Sequence, residues 1–287
     1  IAIFLMRFSG QGMMSHTATT TISRYFTKSR GKALSTGWFG LSAAEFILPV
    51  LMIYLLSTTG WKDIWLAISI IVIVFLPAIS FLLVKNISLE SREITDDKNY
   101  KEKNIKQWKR IEVLKDYRFY IICANILAMP WIATGVFVFQ SFIIESKNWG
   151  PYIIAQSFMV YSILSVITLF FSGFLIDKFT SRKLLIYMNI PLLLAAFVIF
   201  YFNNPISAFF FLGLIGICNG FANVLGSSTW AEIYGVKYIG SIKALTTALM
   251  VFATAFGTAL FGFLIDLGFS IEQIAIVSGT YISISLI

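Results

Sequence analysis

Charge is scarce in this sequence: 13% of its 287 residues are Asp, Glu, Lys or Arg, where a soluble domain carries about 25%. Histidine occurs once, as His16, and cysteine twice, as Cys123 and Cys218. A single histidine excludes a His-rich metal site, and neither a metal nor a cofactor is expected. Both cysteines stand inside apolar runs and need no disulfide. No Gly-x-x-x-x-Gly-Lys-Ser/Thr segment is present, so nothing points to ATP as an energy source. No signal peptide and no initiator Met open the chain. It begins at Ile1 and stops at Ile287, each inside an apolar segment, and reads as a fragment of a longer protein cut at both ends.

What is abundant is hydrocarbon: 58% of residues are hydrophobic and 28 are Phe. Apolar stretches long enough to cross a bilayer recur along the whole chain. The fold class is therefore an all-α polytopic membrane protein. Nine helical segments are expected, at about 1–25, 33–58, 61–84, 118–145, 151–177, 183–202, 205–231, 242–267 and 270–287. Turns fall at Gly60-Trp61, Gly150-Pro151, Asn203-Asn204-Pro205 and Gly268, and Pro130 and Pro191 are expected to kink their helices.

The bases set the orientation. All but Arg7, Lys62 and Lys147 cluster at alternate turns: Arg24 to Lys32, Lys85 to Arg118, Lys178 to Lys183, and Lys237 with Lys243. The positive-inside rule places that side in the cytoplasm. A basic face meeting anionic lipid accounts for the net charge of +8 without nucleic acid. The long loop 85–117 separates three helices from six, and its end, Trp108 to Phe119, has the spacing of a short amphipathic surface helix.

The most telling turn is Gly173-Phe-Leu-Ile-Asp177-Lys178-Phe-Thr-Ser-Arg182-Lys183. A turn this short holds two helices as antiparallel neighbours. Gly173 lets another backbone approach, and Asp177 at a helix end suits the positive N-terminus of a neighbouring helix. An internal repeat suggests which one. Arg30-Gly31-Lys32-Ala33-Leu34-Ser35-Thr36 and Gly240-Ser241-Ile242-Lys243-Ala244-Leu245-Thr246-Thr247 both open helices on the basic side. Asp177 is expected against the start of the 242–267 helix, near Gly240 and Ser241. Arg182 is expected beside Glu232. The set Gly173, Asp177, Lys178, Arg182, Lys183, Glu232 and Gly240 would form a latch.

Ionisable groups inside a bilayer are costly, so each is a candidate functional group. Glu45 lies roughly 21 Å along its helix from Gly31, and Arg7 roughly 28 Å from Phe26, at 1.5 Å per residue. The two could pair, as a static ion pair or as a site for proton exchange and anion attraction. His16 cannot share a helix face with Arg7 and is read either as a packing residue or as a gating and proton-handling one. Asn125, Gln140, Asn219 and Asn223 are intramembrane amides, either lining a cavity or joining helices. Gly213, Gly216, Gly220, Gly226, Ala253, Gly257 and Gly262 favour close helix packing.

These residues resemble the major facilitator superfamily along the whole chain. The family's repeated signature, Gly-x-x-x-Asp-Arg/Lys-x-Gly-x-Arg-Arg/Lys, is matched by Gly173, Asp177, Lys178, Arg182 and Lys183. Thr180 replaces the usual glycine, so a less tight turn is expected. Arg7-Phe-Ser-Gly10-Gln11-Gly12 resembles the fourth-helix motif, and Glu232-Ile-Tyr234-Gly235 also fits. The branch looks most like bacterial monocarboxylate permeases.

The resemblance implies helices four to twelve of twelve. Residues 1–84 would close the first six-helix bundle, 85–117 would be the cytoplasmic central loop, and 118–287 would be the second bundle. It implies a secondary active transporter of a small solute, such as an organic anion coupled to protons. Such a protein would work by alternating access, as a monomer in a bacterial cytoplasmic membrane. Its partners would be that solute and the lipid. A polytopic membrane enzyme would need a cluster such as His with an acid at one membrane face, and the scattered acids argue against it. A sensor that has lost transport is separated by an uptake assay.

Overall fold

The computed structural model describes residues 5, 7–26, 30–84 and 106–286. Among these the chain is all-α, and strands are absent. A π-helical turn, Arg7–Met14, runs into α1 (Ser15–Tyr25). Then follow α2 (Arg30–Thr58), α3 (Trp61–Val84), the short α4 (Arg110–Lys115), α5 (Tyr117–Val138) and α6 (Gln140–Lys147). The rest comprises α7 (Pro151–Phe179), α8 (Ser181–Leu184), α9 (Ile190–Tyr201), α10 (Ile206–Tyr234), α11 (Ile239–Asp266) and α12 (Ile271–Ser285).

Six stretches among the described residues are long and apolar enough to span a membrane, at 61–79, 117–138, 152–179, 181–201, 206–234 and 239–266. Helices apolar on all sides are stable where the solvent is hydrocarbon, because every backbone N–H and C=O is then satisfied within the helix. This is a multi-pass membrane protein.

The chain divides into two compact units, 1–46 with 105–287, and 47–104. In the smaller unit, α3 exposes nearly its whole apolar surface, from Trp61 through Ile73 to Leu82. Among its described large aliphatic side chains, Ile64 alone is buried. The surface matches what lipid accepts.

The larger unit is held by small residues that let backbones meet. A side chain on Gly216 would strike the Tyr161 carbonyl, and one on Gly220 would come within 2.6 Å of the Ser165 carbonyl. This locks α7 to α10. One on Gly257 would strike the Trp131 carbonyl, which locks α5 to α11. Lipid tails are as apolar as leucine, so close packing rather than hydrophobic exclusion drives such association. Overfilling one of these sites costs about 1–3 kcal/mol.

Two expected helices are interrupted. The segment 118–145 breaks at Phe139, whose φ of −101° and ψ of 26° leave the α-helical range. Its ring covers Gly262, and the Phe261 ring fills the gap left by Gly135, so aromatic packing carries the break. The segment 183–202 starts as α8, passes through a 3-10 turn at Leu185–Tyr187 and resumes at Ile190. Pro191 lacks a donor N–H there. The fully buried Asn189 donates instead to the Asn125 carbonyl at 2.8 Å and accepts from the Cys218 thiol at 3.7 Å. Both cysteines are free and buried. The expected surface helix is present as α4: Val113 is buried under it while Ile111 stays exposed.

Candidate functional site

The site begins where α2 crosses α7. A Cβ on Gly31 would overlap the Gly173 carbonyl oxygen, and one on Gly173 would lie 3.0 Å from the Gly31 carbonyl and 2.9 Å from Ser35 Oγ. Glycine is needed at both places because the two backbones touch. Around this contact Lys32 Nζ sits 4.9 Å from the Phe174 ring centre, and Phe39 packs on Phe170 with centroids 5.6 Å apart. Leu34, Leu169 and Ile176 are buried alongside.

That approach delivers a carboxylate to a helix start. The Gly31 amide donates to Asp177 Oδ1 at 3.1 Å. Gly31 is the second residue of α2, so its N–H has no partner within the helix, and an anion there also meets the positive end of the helix dipole. The expected partner of Asp177, the start of α11 near Gly240 and Ser241, is thereby corrected. The two repeat copies have the same pattern in sequence, but only the one bearing Gly31 faces the Gly173 backbone. Gly240 instead lies against Thr20, with a built Cβ at 3.7 Å from Thr20 Cγ2.

The turn after Asp177 is tight despite its threonine. Thr180 holds φ 78° and ψ 143°, a backbone conformation that favours glycine. The expectation of a looser turn is corrected: Thr180 alone links α7 to the helix starting at Ser181, and it does so with a positive φ. Beyond it, Glu232 at the end of α10 accepts from the Ser181 amide at 2.8 Å and from the Ser181 hydroxyl. Among the described residues no ion pair joins Arg182 to Glu232, and Arg182 and Lys183 are exposed. The carboxylate is aimed at the first N–H of α8, which satisfies two donors at once, so Arg182 stays in solvent. Lys178 is also exposed, 5.2 Å from the Phe179 ring centre.

Lys243 was foreseen only at the mouth of the basic side, and the structure buries it to 3% exposure. Its ammonium donates to the Thr19 carbonyl at 2.9 Å and to Ser23 Oγ at 2.6 Å. This ties α11 to α1. His16, one turn earlier on α1, lies within electrostatic reach of the same cation, and its Nδ1 is buried without a hydrogen-bond partner among the described residues.

Higher on α2, Trp38, Ser42 and Glu45 recur at helical spacing on one face, and Trp38 Nε1, Ser42 Oγ and Glu45 Oε2 are buried with no hydrogen-bond partner among the described residues. Glu45 lies within electrostatic reach of the buried Tyr161 phenol. The Arg7 side chain lies outside the described residues, so no pairing with Glu45 is described.

The amides differ. Asn219 donates to Ser165 Oγ at 3.0 Å and joins α10 to α7. Asn223, on the same face of α10, has an Nδ2 with no partner among the described residues. Asn125 is buried and donates to the Ser285 carbonyl at 3.1 Å, so its amide group joins helices. Gln140 is exposed at the start of α6.

Sequence reading missed a further cluster at the opposite end. Lys147, 3% exposed, meets Glu272 Oε1 at 2.7 Å and Asn203 Oδ1 at 2.6 Å, while Trp149 Nε1 donates to the Asn203 carbonyl at 2.9 Å. A lone lysine in a short polar loop gave no signal that it would be buried.

Among the described residues no group of His, Cys, Asp and Glu could hold a metal ion. Against known families, the model of the Major Facilitator Superfamily matches residues 1–258. No curated protein matches.

Proposed function

Since the chain belongs to the major facilitator superfamily, whose members are transporters of small solutes, we propose that it works by alternating access, with its basic end shut in this structure. The observation that carries this reading is the contact of Gly31 with Gly173 and Asp177. It joins the region before the long loop to the region after it through one hydrogen bond and one backbone contact. A hydrogen bond to a charged group contributes about 1.5–3 kcal/mol net. That is small enough to break in a working cycle.

In this reading residues 1–84 belong to one bundle, 118–287 to the other, and 85–117 is the loop between them. The basic end is cytoplasmic, and the membrane is the cytoplasmic membrane of a bacterium. The protein works as a monomer and binds no nucleic acid. The cargo is a small organic anion, as in monocarboxylate-type permeases, and protons drive it. Glu45 is the proton-handling group, because it is an ionisable side chain in an apolar helix whose Oε2 is buried with no hydrogen-bond partner among the described residues, a costly placement in a membrane unless it serves function. Asn223, Trp38 and Ser42 offer donors to the cargo. Arg7 attracts its charge. His16 stands between Glu45 and the basic mouth as a second proton-handling group.

The test is uptake of labelled small carboxylates by the full-length protein in proteoliposomes under an imposed proton gradient. Uptake that rises with the gradient, and loses that dependence in Glu45→Gln, is expected. Gradient-driven uptake with unchanged pH dependence in Glu45→Gln would contradict the proton role.

A further inference from the structure

The geometry points to Lys243 as a second lock on the basic end, separate from the Asp177 contact and opposite to it in chemistry. This rests on the alternating-access reading above. The first lock joins α2 to α7 by an amide donating to a carboxylate. The second joins α1 to α11 by an ammonium donating to a carbonyl and a hydroxyl, those of Thr19 and Ser23. The two locks use the two copies of one repeated segment, at 30–36 and 240–247. They therefore hold both helix starts of the basic end by different means.

Three features make this a lock rather than a surface contact. Lys243 is 3% exposed and Ser23 is wholly buried, so water is excluded from the bond. The bonded groups are 220 and 224 residues apart in the chain, so the bond is between distant helices and not within a turn. Ser23 also lies in the last turn of α1, where the helix dipole favours a cation.

A dry ammonium is tolerated only while its donors are met. Partial separation of α1 from α11 strips those partners before water can replace them. Full separation hydrates the charge. Intermediate openings are thus penalised, and the lysine makes the basic end either shut or open. Lys243 is a positioning residue in this account; it need not touch the cargo.

Cysteine cross-linking tests it. A side chain on Gly240 would meet Thr20 Cγ2 at 3.7 Å, an ordinary contact. The pair Thr20→Cys and Gly240→Cys therefore lies within disulfide reach when the end is shut. The experiment uses the full-length protein in membranes with Cys123 and Cys218 replaced by Ala. Ser23→Ala, which leaves the buried ammonium short of a partner, is expected to slow oxidative cross-linking by about tenfold; Lys243→Met, which removes the charge itself, slows it less, and Lys243→Arg keeps most of the rate. An unchanged rate in Ser23→Ala and in a folded Lys243→Met overturns the proposal. If Lys243→Met fails to fold, Ser23→Ala decides. Uptake is measured on the same preparations. Absent uptake with lysine-dependent cross-linking sinks the transport reading and keeps the lock. Intact uptake with lysine-independent cross-linking does the reverse.

Discussion

The amide of Gly31 and the carboxylate of Asp177 are 3.1 Å apart, across 146 residues of sequence. The glycine does two things there: it gives up an N–H, and it leaves room for the Gly173 carbonyl. Gly31→Ala puts a methyl group into that carbonyl and should force α2 from α7, at a cost of about 1–3 kcal/mol. Gly173→Ala meets its neighbours at 2.9–3.1 Å and should cost less. Thermal unfolding in detergent checks the order; equal stability of Gly31→Ala and the parent protein would refute the contact.

Thr180→Gly should stabilise the protein by about 1 kcal/mol, the relief of a positive φ less the greater freedom of an unfolded glycine. The same melting measurement reads it. A lower midpoint would mean that the threonine side chain contributes more than its backbone strain costs.

At the other end, Glu272→Ala leaves the Lys147 ammonium buried with Asn203 and without its anion. We expect a loss of about 1–3 kcal/mol. Lys147→Met removes the buried charge itself and should cost less, because replacing a buried ion by apolar volume is often close to neutral. The two single variants and the double variant, compared by chemical unfolding, show whether the order holds.

Much of the helical architecture was legible in the sequence, because long apolar runs between polar turns leave few alternatives to spanning helices. Gly173 and Asp177 stood out for the same reason: charge at a helix reversal is conspicuous against hydrocarbon. The partner of Asp177 was not legible. Two helix starts carried the same pattern, and only packing distinguishes Gly31, which faces a backbone, from Gly240, which faces the Thr20 methyl. The break at Phe139 was hidden too, since neither Gly nor Pro marks it and its cause lies on α11. The burial of Lys147 and Lys243 depends on partners more than 50 residues away in each case, and composition has no access to that.

Outside the membrane, Glu112 on α4 accepts from the Lys109 amide at 2.7 Å and pairs with Lys106 at 3.0 Å. The amide first, then the Lys106 ammonium, hold its carboxyl below the usual carboxylate range. A depressed value means that its support for α4 is complete above the unfolded carboxyl value, near about 4.3, and is lost as pH falls through the folded one. Protection of the amides at residues 109–113, taken relative to their intrinsic exchange rates at each pH, should therefore fall on acidification below about 4. In Glu112→Gln this step should vanish.

The most direct test of alternating access at the basic end is the distance between spin labels at Lys32 and Lys183, both exposed, in the full-length protein in lipid nanodiscs. The account predicts two populations, one short and one long, with Asp177→Asn shifting weight toward the long one by about fivefold, as expected for the loss of about 1 kcal/mol. A single narrow distance, the same in both proteins, would contradict it.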